Sequence, residues 1–350
     1  MIVEVNGLRK AYGSNVVLDG IDLAVPAGAV YALLGPNGAG KTTTVRILAT
    51  LTKPDAGHVV VAGYDVAREP AKVRASTSLT GQYAAVDDDQ TGQENLVMVG
   101  RLTHLGKTTA RRKATELLDR FDLTDAMNRR VKTYSGGMRR RLDLAMSLIA
   151  EPKLIILDEP TTGLDPVSRT TMWASINDLV ANGTTILLTT QYLEEADRLA
   201  SHVVVLNNGR VAAEGTPEAL KSQVGGDRLE LIFESPTEVC QAQDLFTAHP
   251  NHSTTSTHTG TSTITAPRST TSALRPSRGL TRAAIRHDPD KAALTIPSDG
   301  SAAHLHHVLN LLSDNNIHPT RVTSHRPTLD DVFLSLTQAP QALSDSKELT

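Results

Sequence analysis

A single cysteine, Cys240, excludes an intrachain disulfide and a cysteine-rich metal centre, and fits a chain kept in reducing surroundings. No apolar run approaches the roughly 18 residues that cross a bilayer, so any membrane role has to come through a partner. Met1 to Leu8 has neither a positive n-region nor an apolar h-region, and no secretion signal is expected. Charge of one sign is missing too: 35 Lys+Arg stand against 38 Asp+Glu, a net charge of -3. With no basic excess, nucleic acid is not expected as a partner. Internal repeats are absent. What is present is a 39% hydrophobic composition, enough for a packed core, in 350 residues, a length that suggests about two domains.

The apolar pattern divides the chain. Up to about residue 222, short apolar strands alternate with segments of helical spacing. Val30–Leu34 and Leu154–Leu157 are unbroken apolar runs, the mark of strands buried on both faces of a parallel sheet. The alternation predicts an α/β domain over residues 1–225. After Gly225-Gly226, strand-like Leu229–Phe233, Ala293–Ile296 and Ile317–Val322 interleave with helical segments. They predict a small accessory α+β domain over 226–248 and 288–340. Between its two parts, 15 of the 30 residues from Asn251 to Leu280 are Ser or Thr, and no acid occurs from Leu245 to His287. Without apolar periodicity to offset ordering entropy, 249–287 is expected to be a disordered insert, and 341–350 a flexible tail.

The most informative stretch is Gly35-Pro36-Asn37-Gly38-Ala39-Gly40-Lys41-Thr42. It joins a buried strand to a helix, the setting of a phosphate-binding loop. The glycines let several N–H groups converge on one phosphate, and the helix start adds positive potential. Lys41 suits the β- and γ-phosphates, Thr42 offers a hydroxyl to Mg²⁺, and Thr43 completes the grip. The strand Leu154–Leu157 ends in Asp158-Glu159 at the carboxyl edge of the sheet. Asp158 suits Mg²⁺, and Glu159 the attacking water as general base. Ser135 is a good helix N-cap, and Gly136-Gly137 expose backbone N–H groups behind it.

Taken in order, the phosphate loop, Gln82, Ser135-Gly136-Gly137 and Asp158-Glu159 resemble the ATP-binding subunit of ABC transporters, over about residues 2–222. The resemblance implies a P-loop NTPase fold of the ABC type, with ATP and Mg²⁺ as ligands. It implies a homodimer in which Ser135-Gly136-Gly137 of one copy closes on the γ-phosphate held by the other. Gln82 would touch Mg²⁺ and water, Tyr12 would stack on adenine, and Asp165 would link the two sites while capping a helix before Pro166. It further implies a separate membrane permease and a place on the cytoplasmic face of the membrane.

Two positions depart from the family pattern. Met138 follows Ser-Gly-Gly where many members carry Gln, and a thioether cannot donate a hydrogen bond. Gln191 stands where a His usually meets the γ-phosphate, and its amide can still donate. Gln191, the stretch Tyr134–Ala145 and the C-terminal Arg326–Phe333 resemble the daunorubicin/doxorubicin-resistance branch of drug-export subunits. Export of hydrophobic small molecules, anthracycline-like drugs or lipids, is the function this implies. A soluble ABC-type ATPase and a nucleotide-dependent regulatory module stand as alternatives. Arg139-Arg140-Arg141 is expected to form a solvated helix face. His304, His306 and His307 lack acidic or Cys companions and are not expected to bind metal.

Overall fold

In the N-terminal part of the chain, strands that mix buried and exposed side chains build one sheet, and strands buried throughout build the middle of another. The computed structural model describes residues 1–81, 84–248, 286–288 and 292–337. Two compact units result, one built on Met1–Leu220 and the other on Lys221–Ser335.

The first unit begins with β1 (Val3–Tyr12), β2 (Asn15–Val25), β3 (Val30–Leu34), α1 (Lys41–Leu48), β4 (Ala56–Val61) and β5 (Tyr64–Asp65). It continues through α2 (Pro70–Ser76), β6 (Thr77–Thr80), α3 (Gly92–Leu102), α4 (Lys107–Arg120), α5 (Gly136–Leu148) and β7 (Leu154–Asp158). It closes with α6 (Pro166–Ala181), β8 (Thr185–Thr190), α7 (Leu193–Leu199), β9 (His202–Asn207), β10 (Arg210–Gly215) and α8 (Pro217–Val224). The division between units falls inside α8, shortly before Gly225-Gly226.

A four-stranded antiparallel sheet has the order β2-β1-β4-β5, and a six-stranded sheet the order β10-β9-β3-β8-β7-β6. In the second sheet β9, β3, β8, β7 and β6 run parallel, and only β10 turns back against β9. Every residue of β3, β7 and β8 is buried, so the apolar runs in the sequence are the middle of this sheet. Helix α1 lies between the sheets. Its Val45, Ile47 and Leu48 share one core with Val5, Leu8 and Ile21 of the antiparallel sheet and Leu154, Ile156 and Leu187 of the parallel one. Helices α3, α4 and α5 pack together as a helical lobe, and α5 also touches β6.

The second unit holds β11 (Arg228–Ile232), α9 (Pro236–Ala248), β12 (Arg286–Asp288), β13 (Ala293–Pro297), α10 (Ala302–Asp314), β14 (Arg321–His325) and α11 (Leu329–Thr337). Its antiparallel sheet has the order β12-β13-β11-β14. Leu229 and Leu231 point to a core shared with Val239 and Phe246 of α9 and Val308 and Leu312 of α10.

The fold is the expected α/β unit followed by a small α+β unit. Two local differences stand out. The strand read at Ile317–Val322 lies at Arg321–His325, because Ile317 is drawn into the core at the end of α10 while the pairing residues to β11 come later. Arg286 and His287, read as the end of the insert, pair with Thr295 and Leu294 in β12. The rest of the insert, the tail 341–350 and Gln82 lie outside the described residues. No helix among the described residues is long and apolar enough to cross a membrane.

Candidate active site

Parallel pairing brings three strand ends to one edge. Leu34 at the end of β3 pairs with Thr190 of β8, and Thr189 pairs with Asp158 at the end of β7. The loop from Gly35 to Gly40 leaves that edge and enters α1. Gly40 takes a left-handed backbone at φ 106, which an L side chain resists, and a Cβ there would meet Leu18 Cδ2 at 2.5 Å. No side chain caps α1, so its first N–H groups are left for an anion. Asn37 and Gly38 face solvent and Pro36 is half-buried, while Gly35, Ala39 and Gly40 are buried against the fold.

Lys41 is buried, and its Nζ donates to the carbonyls of Gly35 at 2.8 Å and Pro36 at 3.2 Å. The ammonium therefore lies along the loop it would serve. Burial pulls its pKa below the ordinary lysine value, and the carboxylates of Glu159 and Asp158 push it back up. Thr42 is exposed and Thr43 half-buried, whereas the Thr44 hydroxyl turns inward to the Gly40 carbonyl at 3.0 Å.

Asp158 and Glu159 are both nearly buried, at 7% and 8% exposure. The Thr189 hydroxyl donates to Asp158 Oδ1 and accepts from the Glu159 N–H at 3.2 Å, so one threonine orders both acids. Glu159 has φ 50, a backbone state that costs a non-glycine residue about 1 kcal/mol or more. Its N–H also donates to the Thr189 carbonyl at 3.0 Å, and Thr162 Oγ1 donates to its Oε2 at 3.3 Å.

Ser135 caps α5: its Oγ accepts from Met138 N at 3.2 Å, so the sulfur side chain leaves the cap intact. Gly136 is exposed, and no atom lies within 4 Å of where its Cβ would be. Among the described residues no hydrogen bond joins this element to the phosphate loop. Asp165 caps α6, accepting from Ser168 N at 2.9 Å and Ser168 Oγ at 2.6 Å. Gln191 follows β8 and is exposed. Tyr12 ends β1 at 50% exposure, with the Lys10 ammonium 5.4 Å from its ring centre and held by Asp55.

The structure thus gathers Lys41, Thr42, Asp158 and Glu159 at one sheet edge, and leaves Tyr12 and Ser135-Gly136-Gly137 as separate features, exposed except for the half-buried Gly137. Sequence reasoning missed Thr189 and misjudged the arginine triplet. Arg139 pairs with Asp88 at 3.2 Å, and Arg141 donates to the Phe121 carbonyl at 2.9 Å. Arg140 is 5% exposed and reaches into the loop after β7. The helical phase does not single it out, because Arg141 likewise sits four residues before a buried residue, Ala145.

Hydroxyl and carboxylate oxygens from Thr42 and Asp158 form the hard donor set that Mg²⁺ prefers. Among the described residues no group of three or more His, Cys, Asp or Glu side chains converges as a metal cage. The donors fit an ion that arrives with substrate phosphates.

The sequence pattern of the family described as ABC transporter matches residues 18–162. The chain is 48% identical to the daunorubicin resistance ATP-binding protein DrrA2 of Streptomyces coeruleorubidus, over 99% of this chain and 98% of that protein. It is 43% identical to the Nod factor export ATP-binding protein I of Ralstonia nicotianae, over 66% of this chain and 72% of that protein. A solved structure described as an ATP-binding subunit of an ABC transporter superposes with a TM-score of 0.58 and 31% identity, over 64% of this chain and 93% of that one.

Proposed function

The chain belongs to the ABC transporter family of ATP-binding proteins, and on that premise we propose that it powers export of hydrophobic small molecules, anthracycline-like drugs or lipids, through a separate membrane permease. One observation carries the substrate class: the likeness to a daunorubicin resistance protein runs the whole length of the chain, through both units.

As an ATP hydrolase, the chain converts ATP and water to ADP and phosphate. Gly35, Pro36, Asn37, Gly38, Ala39 and Gly40 would wrap the phosphates with backbone N–H groups, with Lys41 adding charge and Thr42 and Thr43 adding hydroxyls. Tyr12 would offer an aromatic face to the adenine. Mg²⁺ would be held by Thr42, Asp158 and Gln82, and when bound it offsets negative charge on the phosphates. Glu159 would take the proton of the attacking water, held for that work by Thr162 and by its own backbone bonds. Gln191 would donate its amide to the γ-phosphate.

Two copies would pair head to tail, with Ser135, Gly136 and Gly137 of one copy closing on the γ-phosphate held by the other and Asp165 at the seam. The exposed Gly136 at the start of α5, where a Cβ would meet no atom within 4 Å, supports this. Each hydrogen bond to a charged group contributes about 1.5–3 kcal/mol, so a few γ-phosphate contacts suffice to favour the closed pair. A peripheral place on the cytoplasmic face of the membrane follows from the permease partnership.

Drug accumulation in cells that express the chain with its membrane partner tests this. Lower daunorubicin accumulation, restored to control level by Glu159→Gln, is expected. Accumulation indifferent to the chain would overturn the export reading, and capture of ribosomes in place of a multi-span membrane protein would favour a soluble ATPase.

A further inference from the structure

Arg140 is on the fifth residue of α5, the helix whose first residues, with the Ser135 cap before them, would meet a second copy. Its guanidinium does not face solvent. Nε donates to the Pro160 carbonyl at 2.7 Å, Nη2 reaches the Glu159 carbonyl at 3.5 Å, and Nη1 donates to the Gly81 carbonyl at 2.6 Å. Those carbonyls leave the ends of the neighbouring strands β6 and β7. Asp143, one turn on, sits 3.3 Å from Nη1, and both side chains are 6% exposed. The other Asp143 oxygen accepts from Ala85 N at 3.1 Å. The pair therefore holds Gly81 and Ala85, on either side of Gln82-Tyr83, as well as the Glu159-Pro160 turn.

A buried ion pair is weak evidence for stability, since desolvation offsets much of its attraction. A guanidinium aimed at three backbone carbonyls is instead a geometric device, because its planar fork fixes where those carbonyls lie. The main chain of Glu159 is gripped from two sides: its N–H by Thr189 of β8, and its carbonyl by Arg140 of α5. Between the two grips the residue keeps its positive φ of 50. Remove one grip and that backbone is free to relax toward the commoner negative-φ state, turning the carboxylate away.

We propose that Arg140, steadied by Asp143, is a positioning residue for Glu159, and that it places the water-activating carboxylate from the same helix that would receive the second copy's γ-phosphate. This rests on the proposed role of Glu159, and the test separates the two. Lysine at 140 keeps the charge but is a point donor, unable to hold three carbonyls at fixed angles.

Steady-state turnover and ATP affinity of Arg140→Lys, Glu159→Gln and the double variant decide it. Arg140→Lys is expected to lower kcat at least about tenfold, as small misplacement of a reacting group does. ATP affinity and KM should stay within about twofold, since the phosphate loop is untouched. Combined with Glu159→Gln, it should leave that variant's residual rate unchanged, because both substitutions then act on one group. Asp143→Asn, which keeps the side chain's size and its acceptor for Ala85, carries the same comparison should Arg140→Lys fail to fold. A wild-type kcat, a loss that multiplies in the double variant, or a matching loss of ATP affinity would overturn the inference. Full turnover by Glu159→Gln alone would instead overturn the role given to Glu159.

Discussion

Lys41 shows what one side chain can contribute. Its ammonium donates to two loop carbonyls, and burial weakens its hold on the proton. A phosphate would exchange neutral acceptors for charged ones, and a bond to a charged group is worth about 1.5–3 kcal/mol. Lys41→Ala should therefore weaken ATP binding by about 10- to 150-fold, as calorimetry with Mg²⁺ and ATP would read. The chain should remain folded, because the Lys41 bonds close no element. At this scale the phosphate loop and the two acids were legible because their meaning is local: glycines beside a lysine, acids at a strand end. Arg140 and Thr189 were not, because their partners lie far away in sequence. Arg140 meets Gly81 across 59 positions, and Thr189 meets Glu159 across 30. Such contacts exist only once the strands are in order.

Elements carry the site by holding strand ends level. Leu154, Ile155, Ile156 and Leu157 of β7 are wholly buried at 0% exposure, so this strand has no tolerant face. Ile155→Ala should cost about 2–5 kcal/mol, read as a lower urea midpoint, and should reduce ATPase activity only as far as the folded fraction falls. The junction of α6, β8 and α7 makes a pH-dependent contribution. Glu195 is wholly buried, accepts from Trp173 Nε1 at 3.1 Å, and has its pKa raised by that burial. The folded chain then binds this proton more tightly than the unfolded chain. The stability it contributes is complete below the ordinary value of 4.5 and is lost as pH rises through the raised value. Glu195→Gln has no proton to lose, so its Tm relative to wild type should climb as pH is raised from about 4 toward neutrality. A difference that stays flat with pH would contradict this. The apolar runs of β3, β7 and β8 were legible as elements, whereas β6, Thr77–Thr80, was not. Its four residues, Thr-Ser-Leu-Thr, lack the apolar run of its neighbours, and it becomes a strand by parallel pairing with β7. The first residues of β4, Ala56-Gly57-His58, are exposed and hide that strand's start in the same way.

At the scale of the whole molecule, the uncapped start of α1 and the Ser135-capped, exposed start of α5 are two separate helix starts, and no hydrogen bond joins them among the described residues. Two arrangements account for the second: a start that serves its own fold only, or one that serves another copy. Gly136 separates them. A Cβ there meets no atom within 4 Å, and an acid at the first position of a helix favours the isolated fold. Gly136→Asp should thus leave the single chain as stable as wild type. If the α5 start meets a γ-phosphate, the same carboxylate repels it and turnover should fall to background. Lys41→Ala should be inactive for the opposite reason, since it spoils the phosphate loop. In a head-to-tail pair of one chain of each kind, one site unites the intact loop with the intact α5 start, and the other unites both lesions. Random pairing makes half the dimers mixed, each with one good site of two, so an equal mixture should recover about a quarter of the wild-type rate. ATPase measured across mixing ratios would trace a curve with its maximum at equal amounts. No recovery at any ratio, with both chains folded, would mean that each chain completes its own site and that α5 reads nothing beyond its own fold.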